Sequence, residues 1–222
     1  MTQYGFYFDS TRCTGCRTCE MACKDYNDLS QTIAFRRIFD YEGGETKADK
    51  NGAVTSTTFV YHVSAACNHC ADPACVAACP QQSMVKDEET GLVTNDPETC
   101  IGCGACANAC PYEVPVVDEE AALSVKCDGC ADRVAAGQQP ICVDACPLRA
   151  LEFGELDALA EAHPDAVNGI APLADPTATN PSLLVLACPA AKEVGDETGF
   201  ISNEKEVTGV EANPVGNGNP LA

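Results

Sequence analysis

Tryptophan is absent from the 222 residues, and there are only seven phenylalanines and six tyrosines. Much of the apolar fraction is alanine, valine and cysteine, which bury little area per residue, so hydrocarbon packing alone is a weak basis for a chain of this length. Long apolar runs are missing too. The best, Leu183 to Ala187, falls far short of the roughly 18 residues of a membrane-spanning helix. Met1 to Ser10 carries no Lys or Arg and no apolar stretch of about 7 to 15 residues follows it, so no signal peptide is expected. Basic residues are scarce: 13 Lys and Arg face 33 Asp and Glu, a formal charge of -20. That is the wrong sign for a phosphate-binding surface, which excludes nucleic acid as the expected partner and reads mainly as a solvated acidic exterior. No phosphate-binding loop, dinucleotide fingerprint or nucleophile with a placed base occurs, so no catalytic residue is assigned.

Cysteine is what the chain has in excess, with 17. Sixteen fall into four groups of four: Cys13, Cys16, Cys19 and Cys23; Cys67, Cys70, Cys75 and Cys79; Cys100, Cys103, Cys106 and Cys110; and Cys127, Cys130, Cys142 and Cys146. Groups one and three have the C-x2-C-x2-C-x3-C spacing of bacterial ferredoxins, and Pro80, Pro111 and Pro147 follow three of the four last cysteines, with Lys24 in that place in group one. Three thiolates two residues apart can be brought by one tight loop onto three irons of a single cubane, and Gly15, Gly102 and Gly104 help the loop close. The fourth cysteine comes where a helical turn has started, so its sulfur is expected to point away and ligate the other cluster of a pair. Such a cysteine ties distant segments together and supplies cohesion that the side chains lack. Structural zinc would use C-x2-C knuckles giving two sulfurs each, and a disulfide scaffold would want an even count, so neither fits. Cys188 is left over and reads as a small buried hydrophobe.

The coarse pattern is strand, cysteine loop, short helix, strand. Tyr4 to Asp9, Phe35 to Tyr41 and Thr57 to Val63 alternate like half-buried strands, and Met84 to Lys86 with Leu92 to Thr94 read as a hairpin. Thr18 to Leu29, Ala131 to Ala136 and Glu155 to Ala162 read as helices, and Ser182 to Ala187 as a strand. The last twenty or so residues read as an extended arm or disordered tail. His69 is expected to support the site or lie on the surface, because group two already has four sulfurs. Arg36 and Arg37 read as a surface pair, or as contacts to a partner or to a strand-edge carboxylate, and Lys24 and Lys126 flank cluster cysteines whose potential their charge would raise.

The four groups in this order resemble the four-cluster ferredoxin-type iron–sulfur subunits of molybdopterin oxidoreductases, and most of all the dimethyl sulfoxide reductase B subunits. The likeness rests on Gln3-Tyr4-Gly5-Phe6, Arg12-Cys13-Thr14-Gly15-Cys16, Ala22-Cys23-Lys24-Asp25-Tyr26, Phe35-Arg36-Arg37-Ile38, Cys67-Asn68-His69-Cys70, Lys126-Cys127-Asp128-Gly129-Cys130 and Cys146-Pro147-Leu148-Arg149-Ala150-Leu151. It implies an α+β fold of two dicluster-ferredoxin-like modules around four 4Fe-4S clusters: residues 1–66 with 111–154, residues 67–110, and an irregular C-terminal extension or partner-wrapping arm over 155–222. It also implies the pairing. One cluster would take Cys13, Cys16, Cys19 and Cys146, and its neighbour Cys127, Cys130, Cys142 and Cys23. The second pair would take Cys67, Cys70, Cys75 and Cys110, and Cys100, Cys103, Cys106 and Cys79.

The function so implied is an electron relay between a membrane quinol-oxidising anchor and a molybdopterin catalytic subunit. Relatives of the same architecture serve polysulfide, thiosulfate and tetrathionate reductases, formate dehydrogenases and catechol-processing molybdoenzymes. A free polyferredoxin and a scaffold merely stapled by clusters are the rivals of a different class. Assembly of the clusters in the cytoplasm is expected, with the complex peripheral to the cytoplasmic membrane.

Overall fold

The computed structural model describes residues 2–204; the expected arm over the last twenty or so residues lies outside them, apart from its first few positions. In chain order the elements are β1 (Tyr4–Asp9), α1 (Thr18–Tyr26), β2 (Arg37–Gly43), β3 (Thr46–Ala48), β4 (Val54–Ser56), β5 (Phe59–Ala65), α2 (Ala74–Ala77), β6 (Met84–Lys86), β7 (Val93–Asn95), α3 (Ala105–Ala109), β8 (Val116–Asp118), β9 (Leu123–Val125), α4 (Ala131–Ala135), α5 (Ile141–Asp144), β10 (Leu151–Glu155), α6 (Leu156–Ala162), β11 (Leu183–Leu186) and β12 (Gly199–Ile201). The fold is α+β, with short elements strung between cysteine loops.

Two three-stranded sheets frame the molecule, in the orders β10-β1-β11 and β12-β2-β5, and three two-stranded hairpins, β3-β4, β6-β7 and β8-β9, complete the strands. β1 runs antiparallel to β10, with Phe6 opposite Phe153, and parallel to β11, with Phe6 opposite Leu183. The alternation in β1 predicts one buried face, yet Gly5 to Asp9 are all buried. The reason is its central position. Phe6 and Phe8 enter the main core with Cys19, Cys142 and Cys146, while Tyr7 on the other face is covered by Leu159 of α6 and Leu184 of β11. Each fully buried Phe contributes about 2–3 kcal/mol, so this one strand carries a large share of the apolar stabilisation. The described residues after 154 are woven into the frame, since β11 completes the first sheet and β12 pairs with β2 in the second.

Helix lengths follow from the residue after the last cysteine. α2, α3 and α5 run four, five and four residues and stop just short of Cys79-Pro80, Cys110-Pro111 and Cys146-Pro147, where the ring removes a donor and disfavours a helical residue before it. Lys24 leaves α1 free to continue to Tyr26, nine residues in all. Three loops enter their helices through a residue in the left-handed region, Arg17, Gly104 and Cys130.

Candidate iron–sulfur sites

The cysteine loops, short helices and sheets gather the sixteen sulfurs into four sets. Cys13, Cys16, Cys19 and Cys146 line one pocket with Phe8, Ile38 and Leu151. Cys79, Cys100, Cys103 and Cys106 line a second with Met84, Asn95 and Ser124. Between these outer sets lie two inner ones. Burial pushes the Cys23 thiol up, and the nearby thiols of Cys127, Cys142 and Cys130 add to it. Burial likewise pushes Cys75 up to about 12, with the nearby thiols of Cys67, Cys110 and Cys70 adding to it and the Lys126 ammonium opposing it.

In α1 the expected geometry is refined. Cys19 and Cys23 are both buried on one helix face, and a separation of four residues moves the second sulfur about 6 Å along the axis. Displacement along the helix, and not an opposite direction, carries Cys23 to the next set. The sets form a row. Cys19 lies within electrostatic reach of Cys142, Cys67 and Cys127 share one apolar cluster, and Cys75 packs with Cys106 and Cys79 in another.

Among the described residues, no three His, Cys, Asp or Glu side chains are grouped to hold a single metal ion, and all seventeen cysteines are free of disulfides. Sulfurs spread around a pocket suit a polynuclear cluster, whose irons sit apart, better than one tetrahedral ion. The buried polar atoms without partners agree with that fit. Among the described residues six are found: Arg36 Nε, His69 Nε2, Ser83 Oγ, Asn95 Oδ1, Tyr112 OH and Thr179 Oγ1. Every one is beside a cysteine set. Ser83 and Asn95 line the pocket of Cys100, Thr179 reaches Cys70, Tyr112 lies by Cys70 and Cys110, His69 reaches Cys127, and Arg36 is surrounded by Cys142, Cys19, Cys127 and Cys23. Orphaned polar atoms are rare in folded interiors; all of these but the acceptor Asn95 Oδ1 can donate, and the donors cluster where bridging sulfides would supply acceptors.

Other donors already meet sulfur. The backbone N–H of Ala150 donates to Cys146 Sγ at 3.3 Å, that of Ser124 to Cys100 Sγ at 3.4 Å, and that of Gly129 to Cys127 Sγ at 3.4 Å. Ser124 Oγ is 3.1 Å from Cys106 Sγ, and Ser64 Oγ 4.0 Å from Cys19 Sγ. Thr18 contacts Cys16 at 3.4 Å and, with its backbone N–H, holds that thiol below its usual range.

Arg36 and Arg37 correct the expectation of a surface pair: they are 3% and 8% exposed. β2 begins at Arg37 in the heart of the molecule, so its first cations turn inward. Arg36 donates to Ser64 Oγ at 2.9 Å and lies 4.9 Å over the Phe6 ring. Burial works against its charge, but the surrounding thiols outweigh it and push its pKa up. Arg37 donates to the carbonyls of Tyr112 and Glu113 at 2.8 and 3.3 Å. Lys24 closes a loop instead of facing sulfur, donating to the carbonyls of Ser30, Gln31 and Ile33. Lys126 is buried, bonds the carbonyls of Val93 and Cys127, and lies 3.8 Å from Cys67 Sγ. Cys188 is partly buried against the main core, and its N–H donates to Ser10 Oγ. The partners Ser64, Ser124, Tyr112 and Thr179 were invisible in sequence, because no motif marks a lone hydroxyl; a cation in an otherwise apolar strand was the one available signal, for Arg36.

The family of the 4Fe-4S dicluster domain matches residues 58–156, and that of the 4Fe-4S binding domain matches residues 10–27. The chain is 49% identical over 206 residues to the B subunit of the anaerobic dimethyl sulfoxide reductase of Escherichia coli (strain K12), covering 93% of this chain and 99% of that one. It is 49% identical over 207 residues to the subunit of the same name from Haemophilus influenzae, covering 93% and 100%. With the thiosulfate reductase electron transfer subunit of Salmonella typhi it shares 38% identity over 156 residues, 70% of this chain and 77% of that one.

Proposed function

This chain belongs to the family of dimethyl sulfoxide reductase B subunits, which are iron–sulfur electron-transfer subunits, and on that premise we propose that its sixteen grouped cysteines hold four 4Fe-4S clusters forming one electron relay. Bound there, a 4Fe-4S cluster supplies reversible one-electron storage at a potential set by its surroundings. The proposed order is the set of Cys13, Cys16, Cys19 and Cys146, then Cys127, Cys130, Cys142 and Cys23, then Cys67, Cys70, Cys75 and Cys110, then Cys100, Cys103, Cys106 and Cys79. Residues 1–66 with 111–154 would form the first module and 67–110 the second. The observation that carries this reading is the exposure pattern. Of the seventeen cysteines only Cys16 and Cys103 are exposed, and each belongs to an outer set. Leu148 lines the Cys16 pocket and is 41% exposed, and Ile101 lines the Cys103 pocket and is 60% exposed. Two wet ends, each with an exposed apolar side chain, suit docking of two partners, and the dry middle suits conduction between them.

The partners proposed are a molybdopterin catalytic subunit that reduces an S-oxide or N-oxide, and a quinol-oxidising membrane anchor. Among the described residues no helix is long and apolar enough to cross a membrane, so the anchor would be another polypeptide. The test is anaerobic purification from native cells, with the co-purifying chains identified and molybdenum and iron measured together. About one molybdenum per sixteen irons, at four irons per cubane, with a large partner chain, supports the relay. Sixteen irons on a lone chain without molybdenum would replace it with a free polyferredoxin.

A further inference from the structure

Two of the six unpartnered buried atoms are N–H donors, His69 Nε2 and Arg36 Nε, and both face thiols of the same inner set. The His69 ring is fully buried. Its Nδ1 accepts the backbone N–H of Val93 at 2.9 Å. A nitrogen that accepts an N–H carries no proton, so the ring proton sits on Nε2. Nε2 has no closed hydrogen bond, and the polar side chain it reaches is Cys127.

The backbone holds this arrangement from both sides. His69 sits at φ +43, and its carbonyl accepts from Ser182 Oγ at 2.9 Å and Gln3 Nε2 at 3.2 Å. Opposite it, Gly129 has φ +77, and a Cβ there would come 3.3 Å from His69 Nε2 and 3.0 Å from Leu92 Cδ2. Only glycine lets the Cys127–Cys130 loop close down on the imidazole. Arg36 approaches the set from elsewhere, on Ser64 and the Phe6 ring. The nearby Asp128 carboxylate is occupied by the Cys130 N–H at 2.8 Å.

His69 lies between Cys67 and Cys70 of group two, whereas Cys127 belongs to group four. We propose that His69 is a positioning residue lent across the seam between the two modules: its Nε2–H donates to the Cys127 thiolate and, with Arg36, makes the cluster of Cys127, Cys130, Cys142 and Cys23 easier to reduce. This rests on the four-cluster reading above. Reduction adds a negative charge to a group already anionic, and a fixed N–H donor or buried cation stabilises the reduced form more than the oxidised one.

The experiment is an EPR-monitored redox titration of the anaerobically purified complex, unsubstituted and with His69→Asn and His69→Gln. Asn tolerates positive φ and places Oδ1 where Nδ1 accepts from Val93, but has nothing at the Nε2 position. Gln returns an amide N–H there. H69N is expected to lower one of four midpoints so that its reduced-to-oxidised ratio at fixed potential falls about tenfold, about 59 mV for one electron, and H69Q to restore most of it. Four midpoints unmoved in H69N, or equal shifts in both variants, would overturn the proposal alone. Fewer than four clusters in the unsubstituted complex would overturn the relay reading and this inference with it. Should H69N lose iron, 15N-histidine labelling of a His62→Gln complex decides, because His62, beside Gly15, is the other imidazole at a cysteine loop. A nitrogen coupling on one reduced-cluster signal supports the donation, and its absence refutes it.

Discussion

The outer and inner cysteine sets use the same residue type at related spacings and end up in opposite surroundings. Each outer set has one exposed thiol, Cys16 or Cys103, and serine or threonine hydroxyls as its side-chain contacts, from Thr18, Ser64 and Ser124. The inner sets have no exposed thiol and add buried His69, Lys126 and Arg36, the last shared with Cys19 of an outer set, to the hydroxyls of Thr179 and Tyr112. Where water can approach, weak neutral donors suffice; where it cannot, the protein must place charge and N–H groups itself, because an unbalanced anion in a dry interior is costly. Three of the chain's 13 Lys and Arg, namely Arg36, Arg37 and Lys126, are buried.

The sharpest way to break this comparison is to remove the metal. Treating the anaerobic complex with an iron chelator is expected to unfold the subunit, since the loops between sheets have little else to order them. Iron loss followed alongside far-UV circular dichroism should be biphasic, with the outer sets emptying first; retention of native dichroism after full iron loss would show that the two sheets suffice. Next in size is a matched cysteine pair. Cys103→Ala is expected to cost about a quarter of the iron and leave the complex intact, as one cubane in four is lost. Cys127→Ala, at the seam, should cost more than half the iron or prevent recovery of the complex, as read by metal analysis.

A smaller contrast separates the lysines. Lys126→Met leaves the buried carbonyls of Val93 and Cys127 unpaired, a loss of about 2–5 kcal/mol. Lys24→Met frees carbonyls of Ser30 and Gln31 that water can reach, with the Ile33 carbonyl only partly buried, and should cost about 1 kcal/mol. Thermal unfolding of the complex measures both. Smallest is a glycine pair in which both residues have positive φ. Gly129→Ala meets Leu92 and His69, while Gly137→Ala meets nothing within 4 Å, so about 2 and about 1 kcal/mol are expected; equal losses would show that the seam has slack.

Much of the local structure was legible. β1 and β6 run over the residues their alternation and hairpin spacing predict, and α1, α4, α6, β7 and β11 lie within a few residues of expectation, since periodicity and the punctuation of Gly and Pro are properties of adjacent residues. β3-β4 and β8-β9 were missed because strands of three residues have too little alternation to register. The cysteine groups were plain because a ligand set on one loop is a short-range pattern.

By itself, the sequence determined which thiols are grouped on one loop and where the three short helices before a Cys-Pro pair must stop. Only the tertiary structure decided that Arg36 and Arg37 point inward, that the main core covers one face of β1 and Leu159 of α6 with Leu184 the other, and that an imidazole from group two meets a thiol of group four. Spacing along the chain governs neighbours a few residues apart, whereas the 58 residues' separation of His69 and Cys127 in sequence is closed by sheet pairing and packing, whose energy depends on every segment at once.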